Sequence, residues 1–265
     1  MYLGVCGWPV AHSRSPAMHN AALAAVGLHD WRYQLLPLPP ELFEETVRAL
    51  PGSGYGGANV TIPHKVAALE VADSASEAAR AIGAANTLTF ENGGVDAQNT
   101  DAGGFLDALG QSPAGRRALV LGAGGAARAV VWALANASAA EVSIWNRTHT
   151  RARELAEAFG ARAVERPEAA DIVVNTTSVG LHDGDELSEL PLELLEQPPV
   201  AVELVYRAGD STPFADWALR GGSRLVPGIE ILVRQGALSF RRWTGQDAPL
   251  EVMRQAARGE IAPQT

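Results

Sequence analysis

Ala118-Leu119-Val120-Leu121-Gly122-Ala123-Gly124-Gly125-Ala126-Ala127-Arg128-Ala129-Val130 is the stretch whose reading decides the fold. Residues 118–121 are short, apolar and uncharged, as a parallel strand buried on both faces must be. Three small residues follow at the spacing of a dinucleotide-binding turn: Gly122, Gly124 and Ala127. Gly122 permits the sharp turn, Gly124 has no Cβ to hold off a pyrophosphate, and Ala127 lets helix and strand pack closely. The spacing predicts a helix opening at about Gly125. Its free N–H groups and positive end would face the phosphates.

A second apolar strand, Glu141–Trp145, runs into Asn146-Arg147-Thr148. A protein selecting NAD usually places an acid here to hold the ribose 2′-hydroxyl. This chain has Arg147 instead, whose guanidinium can fork onto a 2′-phosphate, with the Thr148 hydroxyl beside it. The residues therefore read as NADP rather than NAD. Taken alone, Arg147 reads equally well as a solvated loop arginine.

The whole chain agrees with an α/β protein. Its 265 residues suit one large domain or two ordinary ones, and 47% hydrophobic content supplies a substantial core. A formal net charge of −9 argues against non-specific binding to nucleic acid or an anionic membrane. The single cysteine, Cys6, forms no internal disulfide and suits a reducing, cytoplasmic setting. No signal segment and no apolar run of about eighteen residues is present, so no membrane span is expected. His182 lacks Cys or His partners at ligand spacing, and no metal is expected.

Before the glycine turn, polar residues gather at the ends of predicted elements. Tyr2–Gly7 reads as a buried strand, followed by His12-Ser13-Arg14-Ser15-Pro16. Ser15 looks like a helix N-cap with Pro16 at the first helical position, and the helix should stop at Gly27. Ser13 and Ser15 at that helix start could equally bind a carboxylate. In Asn59-Val60-Thr61-Ile62-Pro63-His64-Lys65, alternation puts Val60 and Ile62 in the core and Asn59 and Thr61 on the other side. Lys65 then begins a helix, and it reads either as a pocket wall or as a solvated lysine at an edge. A short helix over 74–83 has Ser74 or Ser76 as its cap. Asn92-Gly93 marks a hairpin whose second strand ends at Asn99-Thr100-Asp101, where Asp101 could simply cap the next helix.

These pieces, in this order and spacing, resemble the shikimate dehydrogenase family over nearly the full chain. The resemblance rests on Gly7-Trp8-Pro9, His12–Pro16, His19-Asn20, Asn59–Lys65, Gly83-Ala84-Ala85-Asn86-Thr87, Asn99-Thr100-Asp101, Gly122–Ala126, Asn146-Arg147-Thr148, Asn175-Thr176-Thr177-Ser178-Val179-Gly180 and Gln235-Gly236. It implies two α/β domains with a cleft between them. Residues 1–101 plus 236–265 would be a substrate-binding, catalytic domain with a mixed sheet, and 102–235 a Rossmann-type NADP-binding domain. Hinge motion would be expected near Asp101 and Pro227. The implied activity is reversible reduction of 3-dehydroshikimate to shikimate with NADPH, a step toward chorismate and the aromatic amino acids, by a monomer or homodimer. A relative using quinate or an aminoshikimate, and a non-catalytic NADP-binding sensor, are the alternatives.

By matching motifs, Ser13 and Ser15 would hold the substrate carboxylate, assisted by Thr61 and Tyr206. Asn59, Asn86, Asp101 and Gln235 would hold ring hydroxyls, and Lys65 and Asp101 would be the catalytic pair. The resemblance assigns the cofactor to Glu77, Gly122, Ala123, Gly124, Gly125, Ala126, Asn146, Arg147, Thr148, Arg151, Thr176, Ser178, Leu204 and Gly228. The chain departs from the family at Glu203, where aspartate is usual, and at Ile231 and Leu181, where methionine is frequent. Glu203 is therefore expected to bear on the placement of Tyr206 or on the contacts between the domains.

Past the turn, the pattern predicts strands over 161–164, 171–175, 199–204 and 223–226. Helices are expected over 148–159, 212–220, 228–243 and 249–259, with a polar surface loop over 182–191. Gly236 interrupts the apolar face of the helix at 228–243, which predicts a bend or a tight packing point.

Overall fold

The computed structural model describes residues 1–182, 184–207 and 211–261. Those residues form two compact units, one of Met1–Gly104 with Leu232–Thr265, the other of Phe105–Ile231.

The first unit holds a six-stranded mixed sheet ordered β2-β1-β3-β5-β6-β4. Its strands are β1 (Tyr2–Gly7), β2 (Arg32–Pro37), β3 (Tyr55–Val60), β4 (Ser74–Ala75), β5 (Thr87–Glu91) and β6 (Gly94–Gln98). β1 lies parallel to β2 and β3, while β5 runs antiparallel to β3 and β6. The β5–β6 turn has positive φ at Asn92 (52°) and Gly93 (78°), the geometry that an Asn-Gly step favours. The helices of this unit include α1 (Ser15–Ala25), α2 (Phe43–Ala49), α3 (Lys65–Glu70) and α4 (Glu77–Ile82). Phe43, Val47, Val60, Leu88 and Ala97 are buried together in one core cluster.

The second unit holds six parallel strands: β7 (Arg117–Leu121), β8 (Glu141–Trp145), β9 (Arg162–Ala163), β10 (Ile172–Asn175), β11 (Val200–Glu203) and β12 (Arg224–Val226). Their order, β12-β11-β10-β7-β8-β9, is the doubly wound arrangement, and it reverses direction between β7 and β10. Helices α6 (Gly125–Asn136), α7 (His149–Phe159) and α8 (Pro213–Arg220) complete this unit. β7 and β10 are buried at every position but Arg117, as the uncharged runs required. Two helices carry the chain between units, α5 (Asp101–Leu109) and α9 (Gly228–Thr244), and α10 (Leu250–Arg258) follows, packed on α1.

Several local expectations are corrected. Ser15 is the first residue of α1 rather than its cap; Arg14 holds the cap position and makes no side-chain cap bond. Ser13 Oγ instead accepts from Ser15 N at 3.3 Å. Ser76, not Ser74, caps α4, its Oγ accepting from Ala79 N at 3.1 Å. Asp101 does not cap α5: Asn99 Oδ1 accepts from Ala102 N at 3.3 Å, and the Asp101 carboxylate points elsewhere. Ile62 is 64% exposed, because β3 ends at Val60 and a turn closes from His64 N to Thr61 O, so alternation stops short of it. The 182–191 segment is not all surface; Leu190 is buried in the second unit's core beside Leu192. Past the helix expected over 249–259, residues 261–265 are expected to fray, and of these 262–265 lie outside the described residues. α9 runs unbroken through Gly236, and a Cβ there would strike Met18, so Gly236 is a tight packing point.

Candidate active site

In the first unit, six elements converge on one buried polar cluster: β2, β3, β5, α3, α5 and α9. Lys65 opens α3 and Asp101 opens α5, and Lys65 Nζ donates to Asp101 Oδ2 at 2.7 Å. Their side chains keep only 13% and 19% of their exposure, so the pair is reachable yet largely shielded from water. The other carboxylate oxygen, Asp101 Oδ1, accepts from Asn86 Nδ2 at 2.8 Å. Asn86 Oδ1 in turn accepts from Thr100 N at 2.7 Å, which fixes the amide orientation, since a backbone N–H can only donate. Gln235 Oε1, on α9, lies 3.2 Å from Asn86 Nδ2, and Gln235 Nε2 donates to Leu232 O at 2.9 Å.

Behind this front row sits a second row of polar side chains. Asn59 Nδ2 lies 2.9 Å from Ser239 Oγ and 3.1 Å from Asn86 O, and Asn59 Oδ1 accepts from Tyr33 Oη at 2.7 Å. Thr87 Oγ1 meets Ser239 Oγ at 2.8 Å and Thr100 Oγ1 at 3.1 Å. Ser239, Thr87, Thr100, Asn59 and Asn86 are all buried, and buried polar groups of this kind persist only when mutually satisfied. Gly104 makes this packing possible: a Cβ there would sit 2.5 Å from Gln235 N.

The structure thus brings Asn59, Lys65, Asn86, Asp101 and Gln235 into one network. Among the described residues no hydrogen bond joins Ser13, Ser15 or Thr61 to it. Ser15 is buried, Ser13 and Thr61 half-buried, and Thr61 packs its methyl group on Gly7. Motif reading misses Tyr33 and Ser239 and gives Thr87 and Thr100 no role. Ser239 had a signal, lying four residues after Gln235 on the same helix face. Tyr33, in the middle of a strand with no polar neighbour motif, had none. His19 is buried with neither ring nitrogen bonded, stacked on Tyr33 at 4.3 Å, and burial pulls it down to about 3.

The second unit offers a site of another kind. After β7, Gly122 takes φ +114° and its N donates to Trp145 O at 2.8 Å. A side chain there would be strained and would meet Thr176 Oγ1 at 2.5 Å. Gly124 caps α6 with no side chain, and a Cβ there would meet open space. The first N–H groups of α6, at Gly125 and Ala126, thus stand beside an open backbone turn. That is a cradle of the right form for a pyrophosphate. Asn146 Nδ2 donates to Thr148 O at 2.9 Å, shaping the turn after β8, while Arg147, Thr148 and Arg151 are exposed there. Thr176 Oγ1 donates to Leu121 O at 2.7 Å and Ser178 is exposed, both in the loop after β10. Leu204 is half-buried, and the backbone of Gly228 packs against the carbonyls of Leu204 and Val205. Glu77, at the start of α4, belongs to the first unit and is exposed, and Tyr206 is half-buried in the second. Among the described residues no group of three His, Cys, Asp or Glu could hold a metal ion.

Comparison with known proteins agrees along the chain. Residues 5–88 match the shikimate dehydrogenase substrate binding domain, 107–179 the shikimate / quinate 5-dehydrogenase family, and 228–258 the shikimate 5'-dehydrogenase C-terminal domain. Shikimate dehydrogenase (NADP(+)) of Rubrobacter xylanophilus is 45% identical, with 97% of this chain and 95% of that protein covered. The enzyme of the same name from Methanopyrus kandleri is 41% identical, over 96% of this chain and 93% of that protein. Among solved structures, shikimate 5-dehydrogenase from Thermus thermophilus, in complex with NADP(H) and shikimate, is 44% identical. It superposes with a TM-score of 0.91 over 98% of this chain and 100% of that one. The chain belongs to the shikimate dehydrogenase family.

Proposed function

We propose that this protein reversibly reduces 3-dehydroshikimate to shikimate with NADPH, with Lys65 and Asp101 as its catalytic pair. The observation that carries the reading is the 2.7 Å Lys65–Asp101 contact within a buried network of amides and hydroxyls. Similarity to named NADP-dependent shikimate dehydrogenases along nearly all of the chain supports the substrate and the cofactor.

Reducing a ketone to an alcohol takes a hydride at carbon and a proton at oxygen. NADPH, when bound, supplies the hydride and leaves as NADP⁺. The Lys65 ammonium stabilises the developing alkoxide and passes it a proton; in the oxidative direction a neutral Lys65 accepts one. Asp101 holds the Lys65 amine in place through one carboxylate oxygen while Asn86 holds the other oxygen. Asn59, Asn86, Asp101 and Gln235 bind the ring hydroxyls, and Ser13, Ser15, Thr61 and Tyr206 bind the carboxylate. The open turn at 122–126 receives the pyrophosphate, with Thr176, Ser178, Leu204, Gly228 and Glu77 around the rest of the cofactor. Arg147, Thr148, Arg151 and Asn146 hold the adenosine end, where the guanidinium of Arg147 selects the 2′-phosphate.

The reading extends to a cytoplasmic setting, supported by a single buried free cysteine, and to an enzyme that binds no nucleic acid or anionic membrane, supported by a formal net charge of −9; the family resemblance extends it to a monomer or homodimer. Among the described residues no helix is long and apolar enough to cross a membrane. The test mixes the protein with shikimate or quinate and NADP⁺ or NAD⁺, and follows reduced-nicotinamide absorbance. Rapid reduction with shikimate and NADP⁺ alone is expected. Preference for quinate would replace the substrate assignment, and NADPH binding without turnover on any pair would make the protein a sensor.

A further inference from the structure

The residue that departs from the family's usual aspartate, Glu203, is tightly bonded inside the second unit. It ends β11 and is 1% exposed. Its carboxylate meets three partners from three segments. Thr212 Oγ1 lies 2.6 Å from Oε2, Val205 N 2.9 Å from Oε1, and Asn175 Nδ2 3.0 Å from Oε1.

Two of these partners can only donate, and the third is able to. Val205 offers a backbone N–H. Thr212 Oγ1 accepts from Ala215 N at 3.1 Å as the cap of α8, which leaves its hydroxyl proton free to turn to Glu203. Asn175 Oδ1 already accepts from Thr177 N at 3.1 Å and Thr177 Oγ1 at 2.7 Å, so its amide nitrogen must face the acid. Two obligate donors and a hydroxyl that can turn its proton to the acid make a socket that suits the carboxylate once it is ionised, while Thr212 Oγ1 can accept from the acid when it is protonated. Charge-assisted bonds of this sort are the strong ones.

The consequence lies in what Asn175 holds with its other end. It fixes the start of the loop after β10, and Thr177 Oγ1 passes the constraint on by accepting from Val179 N at 3.2 Å. Thr176 and Ser178, the loop residues given to the cofactor above, are interleaved with this chain of bonds. The geometry points to Glu203 as a positioning residue that sets the 176–179 loop for the cofactor through Asn175 and Thr177. This rests on the reading of that loop as part of an NADP site.

Glutamine keeps the shape of Glu203 but replaces one acceptor oxygen with a donor, so either the Thr212 hydroxyl loses its acceptor at Oε2 or donors face donors at Val205 N and Asn175 Nδ2. Glu203→Asp keeps the charge with a reach shorter by one methylene. Thr177→Val breaks the relay without touching the acid. NADPH affinity is measured by fluorescence titration, and KM for NADP⁺ and for shikimate by steady-state kinetics. Thermal melts accompany both. All are run well above the value of about 7 to which burial pushes the Glu203 carboxyl, so that the socket holds the anion.

The wild type is expected to bind NADPH. Glu203→Gln should bind about tenfold more weakly, the scale of one strong hydrogen bond lost. Glu203→Asp should recover at least half of that loss on a logarithmic scale. Thr177→Val should weaken NADPH binding about threefold, with KM for shikimate unchanged and the melt within about 2 °C of wild type, as expected at a half-buried loop position. Should Glu203→Gln fail to fold, Thr177→Val carries the decision. Lowered melting with unchanged cofactor affinity and KM in the folded variants would overturn the inference and leave Glu203 a structural acid. A wild type that binds no NADPH would overturn the proposed function and this inference together.

Discussion

The two units build their sites from different materials. The first uses side chains: amides and hydroxyls from β2, β3, β5, α9 and the residues just before β5 and α5 satisfy one another in a buried cluster around Lys65 and Asp101. The second uses backbone: a positive-φ glycine, a helix start without a side-chain cap, and exposed residues at its rim. A site made of side chains fixes the shape of its ligand atom by atom, and one substitution can unseat several partners. A site made of backbone accepts any ligand with the right phosphate and leaves selectivity to a few rim residues, the role proposed above for Arg147.

The contrast breaks most easily at Lys65. Turnover of Lys65→Ala should fall by roughly 10²–10⁴, the range for a lost general acid, with KM for shikimate much less affected. Near-normal turnover in steady-state assays would remove Lys65 from its role and with it the case for the first unit as the reacting one.

A second test uses the way each unit treats a buried titratable group. Burial pulls His19 down to about 3 and pushes Glu203 up to about 7, in the latter case against the pull of its three donors. His19 is neutral in the fold but protonated in the unfolded chain below about 6.5, so its contribution to stability is lost as pH falls from there toward 3. Glu203 is protonated in the fold but ionised in the unfolded chain between about 4.5 and 7, so its contribution is lost as pH rises through that window. Each slope is about 1.4 kcal/mol per pH unit, and the two oppose one another between about 4.5 and 6.5. His19→Phe should therefore gain on the wild type toward acid, and any deficit of Glu203→Gln should shrink toward neutral pH. Urea titrations at pH 4.5, 5.5 and 7 check both signs.

Ser239→Ala sharpens the comparison by asking whether the rear row of the first site supports the front. Asn59, Thr87 and Thr100 would each lose a partner, at a cost of about 1–3 kcal/mol in denaturant unfolding, and KM for shikimate should rise. Arg147→Ala probes the rim of the backbone-built site. It should lower the preference for NADP⁺ over NAD⁺ by about tenfold, read as a ratio of kcat/KM values, while leaving stability unchanged. Ile62→Ser, smallest of all, should move stability by less than about 0.5 kcal/mol, because Ile62 is exposed.

These differences also explain what could be read before any coordinates. The second unit was legible because its signals are local: β7, the turn at Gly122 and the start of α6 follow one another in sequence. Buried parallel strands announced themselves as uncharged runs. The Lys65, Asn86 and Asp101 positions were legible because each closes a short motif at an element end. Ser239 and Tyr33 were not, since their partners lie 180 and 26 residues away at Asn59 and no local pattern records such a contact. The same holds for Ile62, where alternation continued on paper past the point at which His64 N turns back to Thr61 O. Asp101 read as a cap because short acids at helix starts usually are; a neighbouring asparagine had taken that work.

Ser239 and Gln235 reach Asn59 and Asn86 from α9, more than 230 residues after the start of the chain. During synthesis the second unit, one unbroken stretch from Phe105 to Ile231, is complete when only the first turn of α9 has emerged, whereas the first unit waits for the rest of that helix and the last part of the chain. Domains generally fold as units when they become available, and contacts of long sequence separation form slowly. The folding order is therefore inverted with respect to the sequence. The nascent protein holds a finished doubly wound unit while the polar cluster around Lys65 still lacks the wall that α9 supplies, so that cluster is the last part of the protein to be assembled.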